Sequence, residues 1–104
     1  MRLVKTIGML ALFLLTALPA FSQRTSSEWE ILNRELMSLY QNGEYERAVI
    51  VAKKALDVAE KKYGENHPIV ATSLNNLAML YSSQGEYAQA EPLFKRSLSI
   101  TGKA

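Results

Sequence analysis

Cysteine is absent from this 104-residue chain, so neither a disulfide nor a thiolate ligand or nucleophile is available. Histidine occurs once, as His67, and a protein-only zinc site would then draw most of its ligands from carboxylates, an uncommon arrangement. A serine triad needs a histidine held by a carboxylate. Here Glu65 is only a sequence neighbour of His67, and the adjoining Pro68 makes the pair read as a connector at a helix start. Gly43 and Gly85 stand alone at turns, so no glycine-rich phosphate loop is present. No stretch alternates polar and apolar residues in the manner of a strand. An excess of one charge is also missing: twelve Lys or Arg face ten Asp or Glu, and two of the cations, Arg2 and Lys5, lie at the extreme amino terminus. The remainder is balanced and carries no basic stripe beside aromatics, which argues against nucleic-acid binding. These absences predict a protein with no catalytic residue, no metal and no cofactor.

What is present begins with a leader. Arg2 and Lys5 precede an almost wholly apolar run at residues 7–18, and Pro19, Ala20, Phe21 and Ser22 follow. Positive start, apolar run and small residues at Ala20 and Ser22 form a signal-peptide pattern with cleavage expected after Ser22. The apolar run is short against the roughly 20 residues of a bilayer-spanning helix. The expected product is an exported, periplasmic or extracellular protein that meets a membrane only through this segment if it is uncleaved. Residues 1–22 are thus assigned to the signal and residues 23–104 to one small domain.

That domain repeats itself. Asn42-Gly43-Glu44-Tyr45-Glu46-Arg47-Ala48 returns as Gln84-Gly85-Glu86-Tyr87-Ala88-Gln89-Ala90 after 42 residues, and the similarity extends to Leu56 and Leu98. A period of this size indicates a helical hairpin used twice, neither copy burying its apolar face alone. Ser27 and Glu30 form a capping-box pattern, and Trp29, Leu32, Leu36 and Leu39 follow at helical spacing. A second helix from about Glu44 places Tyr45, Ala48, Ala52, Ala55, Leu56 and Ala59 on one face, with Lys53, Lys54, Asp57 and Lys61 outward. Gly64 is suited to a left-handed cap and Pro68 to the first position of a third helix reaching about Ser83, which buries Val70, Leu74, Leu77, Ala78 and Tyr81. A fourth helix, about Tyr87 to Thr101, uses Tyr87, Ala90, Phe94 and Leu98 in the places of Tyr45, Ala48, Ala52 and Leu56. Pro92 conflicts with a helix interior, where proline removes a hydrogen bond. Repeat one is expected at about 27–63 and repeat two at about 68–102.

The stretch Ala71-Thr72-Ser73-Leu74-Asn75-Asn76-Leu77-Ala78-Met79-Leu80-Tyr81, with Gln84-Gly85-Glu86-Tyr87 and Ala90-Glu91-Pro92-Leu93-Phe94, resembles a tetratricopeptide repeat of the 42-residue kinesin light chain type. The connector Gly64-Glu65-Asn66-His67-Pro68 is similar to that subfamily's usual one. The resemblance covers about Leu32 to Ile100 and implies an all-α fold, with two antiparallel hairpins in a short right-handed solenoid. It also implies an intact helix through Pro92. The first copy departs from the pattern: Tyr40 precedes Gly43 by three residues where Tyr81 precedes Gly85 by four, and Glu35 stands in the place of Leu77. A more solvated terminal repeat is expected there.

In this family the first helix of each pair lines a concave groove for peptides or protein segments. The side of the third helix turned away from its core holds Thr72, Asn75, Asn76, Met79 and Ser83, and a shift of 42 adds Glu30, Asn33, Arg34, Met37 and Gln41. Asparagines can bond an extended backbone, Arg34 a carboxylate, and the methionines give adaptable apolar contact. The same residues also fit a solvated face with asparagines tying helix to helix. At the far end, Leu93, Phe94 and Ile100 are expected to point toward the place of a further repeat, forming an association end. The functional expectation is an exported, non-catalytic interaction module for a peptide or protein. Its alternatives are a self-associating structural element and an amino-terminal adaptor piece of a larger array or enzyme.

Overall fold

The computed structural model describes residues 27–102. The signal segment, its cleavage after Ser22 and the last two residues lie outside the described residues. Among those described there are four α-helices and no strand: α1 (Glu28–Gln41), α2 (Tyr45–Tyr63), α3 (Pro68–Ser83) and α4 (Tyr87–Thr101). Each packs on its sequence neighbours, giving two hairpins, α1 with α2 and α3 with α4, joined through α2 against α3.

Local chemistry sets the helix ends. The Glu30 amide donates to Ser27 Oγ and the Ser27 amide to Glu30 Oε1, both at 3.2 Å, so the expected capping box is complete. His67 caps α3 with its imidazole: Nδ1 accepts from the Ile69 amide at 3.0 Å, and the ring stacks on Tyr63 at 4.5 Å between centroids. Its role as a connector residue follows from those two contacts. Gly64 does take the positive φ that a side chain would resist, 90°, but its ψ of 163° is an extended mirror-image conformation and not the expected left-handed cap. Three further residues, Glu65, Asn66 and His67, follow before α3 begins at Pro68. Helix α4 runs unbroken through Pro92, which lies exposed in its second turn.

The two turns fix the repeat register. Glu44 donates its amide to the Leu39 carbonyl and Glu86 to that of Tyr81, both at 2.8 Å. Leu39 is therefore the counterpart of Tyr81, and Tyr40 that of Ser82. The first helix is the more solvated one, with Leu36 and Leu39 its buried residues against seven in α3.

The core sits along α2. Ala48, Ala52, Ala55 and Ala59 are all within 1% of complete burial, and these small side chains let α1 and α3 approach the α2 backbone from two sides. One cluster joins Leu36, Leu39, Val49 and Val51 with Leu77 and Leu80 across the repeat junction. A second joins Ala59, Val70 and Leu74. Of the residues expected inside α3, Val70, Leu74, Leu77 and Ala78 are buried, while Tyr81 remains half-exposed. Two buried serines complete the seams. Trp29 Nε1 donates to Ser73 Oγ at 2.7 Å, Ser73 Oγ donates to the Ile69 carbonyl at 3.1 Å, and Ser97 Oγ donates to the Ala71 carbonyl at 2.9 Å. No buried side-chain polar atom among the described residues is left without a partner.

Candidate functional site

Helices α1 and α3, the first of each hairpin, present a shared face. On α3, Val70, Leu77 and Leu80 are buried, which leaves Thr72, Asn75 and Ser83 exposed and Met79 half-buried about half a turn away. The α1 counterparts behave similarly: Glu30, Arg34 and Gln41 are exposed, and Asn33 and Met37 are half-buried. One contact demonstrably joins the two helices here, Asn76 Nδ2 donating to Asn33 Oδ1 at 2.8 Å.

The ten residues therefore divide by occupation. Glu30 is committed to the capping box, Arg34 is engaged within the protein, and Asn33 and Asn76 share one hydrogen bond. Met37 packs against the first core cluster. Thr72, Asn75 and Ser83 on α3, with Gln41 on α1, are exposed, and Met79 is half-buried beside them. Thr72 and Asn75 also border a depression completed by Pro68, Ala71, Ser97 and Thr101. This strip is neutral, so recognition on it would proceed by hydrogen bonds and adaptable apolar contact.

The association end requires a correction. Leu93 and Ile100 do not point onward: both are half-buried, Leu93 against both core clusters and Ile100 against the second. Tyr87 and Leu98 are instead the uncovered residues, 67% and 50% exposed, and they line a depression of about 320 Å³ with Ser82, Ala90, Glu91, Phe94 and Lys95. The cause lies in the stacking order. Tyr45, Ala48, Ala52 and Leu56 belong to the cluster that takes in Leu77 and Leu80 of the following hairpin. Their copies on α4 face the position that a following helix would fill. Phe94 is the member of the expected trio that does line this face.

The two buried serines, Ser73 and Ser97, were not among the residues expected inside. A signal for each was present: Ser73 interrupts the apolar spacing Val70, Leu77, Leu80, and Ser97 replaces Ala55 of the first copy. Among the described residues no group of three His, Cys, Asp or Glu could hold a metal ion, and no helix is long and apolar enough to cross a membrane.

Residues 36–103 match the tetratricopeptide repeat family. Similar proteins include a clustered mitochondria protein homolog of Aspergillus clavatus, 33% identical over 66 residues, which are 62% of this chain and 5% of that protein. An RxLR effector protein SFI4 of Phytophthora infestans is 32% identical over 74 residues, 71% of this chain and 22% of the relative. A clustered mitochondria protein homolog of Aspergillus oryzae is 31% identical over 72 residues, 67% of this chain and 6% of the relative. The chain thus spans between about a twentieth and a fifth of these relatives' lengths. With the family match covering most of the chain and four helices paired as two hairpins, the chain belongs to the tetratricopeptide repeat family.

Proposed function

We propose that this protein is an exported interaction module that holds a peptide or protein segment against the α1–α3 face, making and breaking no covalent bond. The observation that carries the reading is the strip of exposed Thr72, Asn75 and Ser83 with half-buried Met79, joined to α1 through the Asn33–Asn76 contact. Asn75 offers a carbonyl and an amide to an extended backbone whatever its sequence, and Met79 supplies a deformable apolar contact. A right-handed stack of the hairpins would curve this face inward around such a segment. Export rests on Arg2, Lys5, the apolar run at residues 7–18 and the small residues Ala20 and Ser22.

Peptides selected from a random library on the wild-type chain provide the test. They should lose binding to the Asn75→Ala/Met79→Ala variant while its urea midpoint stays unchanged. Undiminished binding would remove this face as the site. Export is checked separately, by the mass and cell fraction of the protein recovered from a bacterial host; an intact amino terminus in the cytoplasm would refute it. A second reading, an adaptor segment of a longer array or enzyme, is favoured by one observation: the similar region occupies only 5% of the Aspergillus clavatus relative. A downstream reading frame that continues the 42-residue pattern would support it.

A further inference from the structure

The outer face of α4 can be read against its own duplicate, because the 42-residue register places each α4 residue of that face on α2 and the adjoining Ser82 of α3 on Tyr40 of α1. Ser82, Tyr87, Ala90, Glu91, Phe94, Lys95 and Leu98 correspond to Tyr40, Tyr45, Ala48, Val49, Ala52, Lys53 and Leu56. All of these counterparts except the exposed Lys53 belong to, or pack against, the cluster that α3 closes with Leu77 and Leu80. The occupant that such a face takes in this fold is therefore a helix with an apolar stripe. On α3 the stripe is Val70, Ser73, Leu77 and Leu80, all at most 4% exposed.

Two helices of a second copy could offer a stripe of that spacing. The counterparts on α1 are Glu28, Ile31, Glu35 and Ser38, every one exposed. Head-to-tail stacking would strip water from two carboxylates against Tyr87, Phe94 and Leu98, a cost that apolar contact with Ile31 does not offset. The α4 helix itself offers Tyr87, Ala90, Phe94 and Leu98, without a charge on the stripe. Its flanking charges suit a copy of themselves: Glu91 and Lys95 form an exposed ion pair at 3.3 Å. A two-fold axis crossing α4 between Pro92 and Leu93 would set Tyr87 against Leu98 of the second copy, and each Glu91 beside the other copy's Lys95.

We propose that this face is a self-association surface, through which two copies of the chain pair tail to tail with antiparallel α4 helices. The contact is isologous, so it closes at two copies and leaves both α1–α3 faces free. One helix face per copy is small beside the roughly 1,600 Å² of a standard interface, which makes the dimer a weak, concentration-dependent one.

Sedimentation equilibrium of the full chain, from about 1 µM to about 1 mM, should show a monomer passing to a dimer and no further. Leu98→Glu, at a half-exposed position that keeps its helix, should weaken the association by about 30-fold or more, since symmetry removes two apolar contacts at once. Glu91→Lys should weaken it by about five-fold, and Glu91→Lys/Lys95→Glu should restore it. Ile31→Glu should change nothing. Far-UV circular dichroism verifies that each variant is folded. A mass that stays monomeric through the series would overturn the proposal and leave the face to a further repeat or another protein's helix. Association that survives Leu98→Glu, or that responds to Ile31→Glu, would overturn it equally.

Discussion

The Asn33–Asn76 contact decides how much of the α1–α3 face is scaffold and how much is open to a ligand, and a double-mutant cycle measures it. The two amides lie on different hairpins, 43 positions apart in sequence, and meet at 2.8 Å with both side chains half-buried. A neutral hydrogen bond of this kind contributes about 0.5–1.5 kcal/mol net. Half-burial lets water satisfy the amide left behind when one partner is truncated, so Asn33→Ala and Asn76→Ala should each cost about 0.5–1 kcal/mol. The double variant should cost little more than either, giving a coupling energy of about 0.5–1 kcal/mol. Trp29, the sole tryptophan, donates to Ser73 across the same pair of helices and reports on their separation, so urea unfolding followed by its fluorescence is the natural assay. Losses that simply add, to within about 0.3 kcal/mol, would refute the tie and return both asparagines to the proposed binding strip.

Other perturbations test the seams and the connector. Ser73→Ala strands the Trp29 indole N–H and should cost about 1–3 kcal/mol in the same unfolding assay, with a shifted emission maximum in the folded state. Gly64→Ala forces a side chain into the conformation at φ 90° and ψ 163° and should cost about 1–3 kcal/mol, although open space surrounds the position. Replacement by asparagine, which at positive φ tolerates only the left-handed region, should not rescue it. Leu36→Ala removes a side chain 1% exposed in the first cluster and should lower stability by about 2–5 kcal/mol by calorimetry or urea unfolding. Ala48→Leu, by contrast, should fail through overpacking, at about 1–3 kcal/mol, because that site is fully buried where helices meet.

Much of the architecture was legible in the chain. Ser27 with Glu30, Pro68 after His67, and the glycines of the two short turns act locally, within four or so residues, and they set the helix boundaries where the spacing predicts them. The alanines of α2 likewise announce close helix approach before any partner is known. Less of the site was legible. Nothing in the spacing of Asn33 and Asn76 separates a pair that bond each other from a pair that await a ligand, because the difference rests on a contact between hairpins. Periodicity gave Tyr87, Phe94 and Leu98 an apolar stripe, yet a stripe alone does not state which neighbour it meets.

By itself, then, the sequence determined the 42-residue repeat, four helices with their caps, and an apolar and a polar side for each, since propensity, capping and period are properties of neighbouring residues. Only the tertiary structure decided that Asn33 and Asn76 meet across the two hairpins. It alone turned Leu93 and Ile100 inward and left Tyr87 and Leu98 bare. The physical reason is that a helix in a stack has two apolar sides, one for the hairpin behind it and one for the helix ahead. Which is covered depends on what packs there, and no local pattern records it.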